Sequence, residues 1–172
     1  MALRAQLTWT KPDLGVVTFE GSRKNNIVWD LHGASVFVDD SAPPERRFSA
    51  VGFCRRYRNV FLIHSPDGIS WDDSASLSPV AERENEGTFN VVQDPLTGLY
   101  HGFSMARIGE GTWQESLGYR VAEDDPWQKR LCLRTTAPTL AGPWAEAVPT
   151  IVPGPEDDAA GRRRYGKPYD IA

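Results

Sequence analysis

Apolar side chains come in short bursts along this chain, each cut off by Pro, Gly, Asp or Asn, a pattern of short strands and turns rather than long helices. The clearest pair of bursts lies between Glu86 and Met105. Phe89-Asn90-Val91-Val92-Gln93 is β-branched and aromatic, and Leu99-Tyr100-His101-Gly102-Phe103 resumes the same character. Between them, Asp94-Pro95-Leu96-Thr97-Gly98 carries turn chemistry: Pro fixes φ, Asp bonds its own backbone and Gly takes positive φ. The spacing predicts strand, tight turn, strand.

The same reading extends along the chain. Residues 9–19 predict a turn leading into a short strand, and the polar loop 21–26 closes on an apolar strand ending at Trp29. A second hairpin follows, with strands at 34–38 and 48–53 around the turn Asp39-Asp40-Ser41-Ala42-Pro43-Pro44. A strand at 59–64 runs into the turn 65–71, and a polar link covers 72–86. Beyond the opening hairpin, 116–121 and 129–134 predict a further strand pair, followed by a turn at 135–144. Residues 149–161 read as loop, and 165–171 as the start of one more strand. Several strands are apolar on both faces, as expected of a sheet covered on both sides.

The hairpins repeat. Asp39 and Asp94 each open the turn of a first hairpin and stand 55 residues apart, while Trp9, Trp71 and Trp144 each close a turn, at spacings of 62 and 73. Strand-rich units of roughly 40–50 residues, lengthened by loops, mark a β-propeller, in which four-stranded blades pack face to face around a channel. The competing fold is a sandwich or jelly roll with accidental similarity. The expected fold class is therefore all-β: a partial propeller with two full blades, at 36–71 and 90–144, inside one domain spanning 1–172 and incomplete at both ends. Propellers need about four blades to close, so the remaining blades of a longer chain are an expected partner.

Composition changes this picture little. The chain has 172 residues with 40% hydrophobic content, 13 Pro and 15 Gly, enough for a core and many turns. Net charge is −4 with both signs intermixed, so nucleic acid is not expected as a partner, and the run Arg162-Arg163-Arg164 after Glu156-Asp157-Asp158 reads as a solvated loop. The first residues lack the apolar core of a signal peptide and no run reaches membrane-spanning length; taken literally, a cytoplasmic protein without a membrane partner is expected. Cys54 and Cys132 lack CxxC spacing and read as buried free thiols, with neither a disulfide framework nor a zinc site. No cofactor is called for, and no EF-hand-like loop suggests calcium.

The motifs W-T-K-P-D-L-G at 9–15, G-S-R-K-N-N-I-V at 21–28, S-V-F-V-D-D…P-P-E-R-R-F at 35–48, S-P-D-G-I-S-W at 65–71, Q-D-P-L-T-G-L-Y at 93–100 and Y-G-K-P at 165–168 occur in this order. Together the set resembles the five-bladed propeller domain of bacterial proteins related to glycoside hydrolase families 32 and 43. The resemblance implies a five-bladed propeller of which this chain is the middle. It also implies a saccharide, such as a fructoside or arabinoside, held at one end of the channel by the innermost strands, with a carboxylate trio doing the chemistry.

Glycoside cleavage needs a carboxylic acid to protonate the leaving oxygen and a second carboxylate as nucleophile or base. A propeller aims the starts of its innermost strands at the axis. There the second blade offers Glu84, Glu86 and Asn90, and the first offers Asn25, Asn26, Asp30 and His32. Glu86, Asp30 and His32 are the catalytic candidates. Asn25, Asn26, Trp29, Asn90, Arg107 and Arg120 are the substrate-binding candidates: amides for hydroxyls, an indole for stacking, guanidinium groups for hydroxyls or carboxylate. Each also has a structural reading, as a turn cap, a satisfied histidine, a solvated carboxylate or an inter-blade salt bridge. The relatives are expected to carry D-x-x-N before the turn Asp, whereas this chain has Gly87-Thr88-Phe89-Asn90. The acid is missing, which leaves a catalytically silent carbohydrate-binding or structural module, or a truncated fragment without function, as the alternative to a glycosidase. Asp39, Asp67 and Asp94 are set aside as turn residues.

Overall fold

The computed structural model describes residues 10–54, 57–72, 79–81, 88–108, 129–152 and 154–165. Among these residues eight strands run in chain order: β1 (His32–Val38), β2 (Phe48–Cys54), β3 (Asn59–Ser65), β4 (Pro79–Ala81), β5 (Phe89–Gln93), β6 (Tyr100–Ile108), β7 (Lys129–Ala137) and β8 (Val148–Ile151). They form two four-stranded sheets of strand order β1-β2-β3-β4 and β5-β6-β7-β8, with every neighbouring pair antiparallel. The described residues are all-β, with a 3-10 turn at Pro44–Arg46 and, among them, one helix, α1 (Pro155–Tyr165). Among the described residues no helix is long and apolar enough to cross a membrane.

The expected hairpins form, and four local expectations are corrected. Residues 16–19 make no strand, and neither do the apolar residues ending at Trp29; a lone bridge, Phe19 to Ser22, is the only regular pairing in the described part of 10–31. Its apolar residues meet no partner strand, and alternation without a ladder does not make a sheet. The polar link 72–86 contains β4, whose three residues were too few to show a period. The loop expected at 149–161 instead holds most of β8 and the first part of α1. Pro at the first helical position lacks an N–H that would have no helical partner, while Glu156 and Asp157 in the first turn and Arg163 near the end complement the backbone dipole. The Gly154 N–H donates to Asp157 Oδ2 at 2.9 Å, which satisfies one of the helix's leading amides. The strand expected at 116–121 lies outside the described residues, and β7 pairs with β6 and β8. Tyr165 closes α1, and the rest of 165–171 is also outside them.

The two sheets repeat each other strand for strand. Val38 pairs with Phe48 and Phe48 with Ser65; Gln93 pairs with Tyr100 and Tyr100 with Ala137. Matching these rows makes β1 equivalent to β5, β2 to β6 and β3 to β7, with the first strands offset by the same 55 residues that separate Asp39 from Asp94. The turns after the third strands match as well. The Asp72 N–H donates to the His64 carbonyl at 2.9 Å, and the Ala145 N–H to the Thr136 carbonyl at 2.8 Å, each just after the closing Trp71 or Trp144.

The sheets stack through one core. Val51, Phe53 and Val60 of the first sheet are buried with Phe89 and Val91 of the second, and Phe37, Leu62, Tyr100, Leu140 and Trp144 pack around them. Phe89 meets Trp144 edge-to-face at 5.2 Å, and Gly102 makes room: a Cβ there would stand 2.5 Å from Phe89 Cζ. The other face of the first sheet carries a second cluster of Ala50, Cys54, Phe61 and Ile63 under Trp29, Leu31 and Trp71. Burial on both faces explains why β2 reads as almost continuously apolar. Cys54 and Cys132 are free thiols, Cys54 buried and Cys132 half-buried with its pKa pushed up by burial.

Candidate functional site

The first strands, β1 and β5, lie side by side where they begin. A bulge between His32 and Ser35 sets three steps of β1 against two of β2, and inside it Gly33 takes φ +58°. That conformation lets the β1 backbone approach Thr88, just before β5; a Cβ on Gly33 would stand 3.0 Å from Thr88 Cβ. Two residues on, the Val91 N–H donates to Ser35 Oγ at 2.8 Å. Val91 is on the strand edge turned away from β6, so this bond satisfies an amide that the sheet ladder leaves over.

His32 and Asp30 sit at this end, and both are exposed. Glu86, the acid paired with them in the sequence reading, and Glu84 lie outside the described residues, as does Arg120. Arg107 is on β6, opposite Arg130 of β7 and three residues past Ser104, the partner of the first residue of β5. Asn90 is exposed on β5 between the buried Phe89 and Val91, which places it on the face of the second sheet turned away from the first. Asn26 is exposed in the loop before β1.

Asn25 and Trp29 serve the scaffold. Asn25 Nδ2 donates to the Val17 and Ser22 carbonyls at 2.9 and 3.2 Å, its Oδ1 accepts from the Ile27 N–H at 2.9 Å, and its carbonyl accepts from the Leu14 N–H at 2.9 Å. It organises the loop leading to β1. The Trp29 indole N–H donates to the Asp72 carbonyl at 3.1 Å while the ring covers Ala50, Cys54, Phe61 and Ile63, so its broad face is used in packing.

The three turn aspartates bind their own backbones. Asp39 Oδ1 accepts from the Ser41 N–H and hydroxyl at 2.9 and 2.6 Å; Asp94 accepts from the Leu96 N–H at 2.9 Å and the Thr97 hydroxyl at 2.7 Å. Asp67 Oδ1 takes the Ile69 and Ser70 N–H groups at 2.8 and 2.7 Å, and these backbone donors pull its pKa down to about 2. The pKa values of Asp39 and Asp94 are also lowered, chiefly by the Ser41 and Thr97 hydroxyls. All three turns lie at the ends of strands remote from Gly33 and Thr88.

Sequence reasoning missed Gly33, Ser35, Thr88 and His64. The first three had a signal: Gly33 and Thr88 are themselves one 55-residue repeat apart, as are Ser35 and Asn90. His64 Nδ1 stands 2.9 Å from Ser49 Oγ near the turn end, and its pKa is lowered by burial and then by the nearby Arg46 charge. That same end holds an apolar groove of 350 Å³ between Leu99, Pro138, Pro143 and Trp144. Among the described residues no group of three or more His, Cys, Asp or Glu side chains is arranged to hold a metal ion.

Fold and site together define an all-β repeat of two equivalent four-stranded meanders with their first strands in contact. Comparison with protein-family models, curated proteins and solved structures returns no match.

Proposed function

We propose that this chain is built as a β-propeller of the glycosidase type and meets a saccharide at the end where β1 and β5 begin. The observation that carries the reading is the lateral contact of the two first strands, through Gly33 against Thr88 and Ser35 to Val91. Equivalent sheets that touch along equivalent first strands are what blades around an axis require. Exposed Asp30 and His32 stand at that end, with Glu86 two residues before Thr88 in the chain. In this reading Glu86 and Asp30 supply the acid and the second carboxylate, and His32 holds a hydroxyl or moves a proton.

A silent binding module is the second reading, favoured by Gly87 where the related motif has an acid and by the commitment of Asn25 and Trp29 to the scaffold. Turnover of aryl glycosides and binding of oligosaccharides by calorimetry separate the two. For a glycosidase, Glu86→Gln and Asp30→Asn each lower turnover by roughly 10²–10⁴-fold with circular dichroism unchanged. Binding that His32→Ala weakens, without any turnover, identifies the silent module. With neither binding nor turnover across the panel, the saccharide reading is abandoned.

A further inference from the structure

The turn that joins β2 to β3 lies at the same end of the first sheet as Asp30 and His32. His32 pairs with Phe53, and the next rung, Cys54 with Asn59, closes the loop 55–58, of which Tyr57 and Arg58 are described. Tyr57 is 54% exposed, although its ring meets the buried Phe61 at 5.6 Å with the two planes 62° apart. A contact of this kind fixes the orientation of a ring and covers at most one of its two faces. Tyr57 thus offers the stacking surface that Trp29, committed to covering the core, does not.

Arg58 follows at φ +51°. Glycine takes that conformation freely, whereas a residue with a long side chain takes it at a cost. Short hairpin loops often need one such residue, and glycine or asparagine usually supplies it. Here it is an exposed arginine whose guanidinium has no hydrogen-bond or ion-pair partner among the described residues. The second sheet carries a related feature. Arg58 and Arg130 stand 72 residues apart, as do the equivalent Ser65 and Ala137, and Arg130 is paired with Arg107 across the ladder. Like charges directly opposite one another destabilise a sheet unless counter-charge is supplied. Basic residues therefore recur at the leading end of both sheets in a chain whose net charge is −4.

We propose that Tyr57 and Arg58 form a subsite for a saccharide carrying ring carboxylates, a uronate, with Tyr57 stacked on the sugar and the Arg58 guanidinium holding the carboxylate. The planar guanidinium fork matches a carboxylate in two parallel N–H···O bonds. The adjacent aromatic face suits the apolar side of a sugar ring, which a simple inorganic anion lacks. This subsite rests on the saccharide reading proposed above and names its substrate class.

Calorimetric titration of the whole chain with an oligogalacturonate, its methyl ester and a neutral cello-oligosaccharide tests the proposal, with a single-stranded oligonucleotide as a polyanion control. The free acid is expected to bind about tenfold or more tighter than its ester. Arg58→Gly and Arg58→Gln should each bring the acid down to the affinity of the ester, while Tyr57→Ala should weaken acid and ester alike, by about fivefold. Arg58→Gly should melt no lower than the wild type, because glycine accepts the backbone conformation in which the arginine is held. Arg58→Gln removes the charge while keeping a side chain at that position, so the comparison stands if the loop responds to glycine. Equal affinity for acid and ester overturns the uronate assignment and leaves the saccharide reading standing. So does a preference for the acid that survives either Arg58 variant, or an oligonucleotide bound as tightly as the acid. Binding of none of the three sugars removes the subsite and the saccharide reading together.

Discussion

At the scale of single residues, the chemistry of this protein is concentrated in its turns. Asp67 is fully hydrogen-bonded at the head of the turn that closes on Trp71, and Ser65 Oγ completes the turn by accepting from the Asp67 and Gly68 N–H groups at 3.2 and 2.9 Å. Its pKa is about 2 in the folded protein against an ordinary 3.8. A carboxylate with a depressed folded pKa stabilises above the unfolded value, and that stabilisation is lost as pH falls from 3.8 toward 2. Melting temperature measured across this window should fall less steeply in Asp67→Asn than in the wild type, while the variant is the less stable of the two at neutral pH. The role of Asp67 was legible in the sequence, because Asp before Gly with Ser two residues ahead has few other local partners. The role of Asn25 was not. An Asn in a polar loop reads equally well as a ligand for hydroxyls, and only the folded path of residues 14–27 brings Val17 and Leu14 within its reach.

At the scale of elements, the second sheet depends on how Phe89 is received. The ring is wholly buried, lies edge-on to Trp144, and occupies the space that Gly102 leaves on the neighbouring strand. Phe89→Ala should cost about 3–5 kcal/mol, read as a lower urea midpoint, because the cavity would be walled by two sheets that cannot both relax into it. Hairpins such as β5–β6 were legible because strand, turn and strand are all local and each carries its own signature. β4 and α1 were not legible for opposite reasons. Three residues of β4 are too short for a period, and they become a strand only because β3 offers an edge. α1 is almost without an apolar stripe, so it is defined by its capping Asp157, its first-position Pro and its charge order, which in sequence look like a solvated loop.

At the scale of the whole molecule, one core joins the two sheets, and Val91 is held to Ser35 across their boundary. The sheets should therefore unfold together: far-ultraviolet circular dichroism and tryptophan fluorescence are expected to give coincident urea transitions, whereas separate transitions would mean that the sheets are independent units. The sequence by itself determined the strand-and-turn character, the positions of the main hairpins and the 55-residue offset between them, since these rest on local propensity, turn chemistry and periodicity. Tertiary structure alone decided which face of each sheet is covered, that β1 and β5 meet at their starts through Gly33 and Thr88, and that Trp29 is packing. The physical reason is range. Turns and alternation are written within a few residues, but a contact between strands more than fifty residues apart depends on how every intervening element packs, and no short stretch of sequence encodes it.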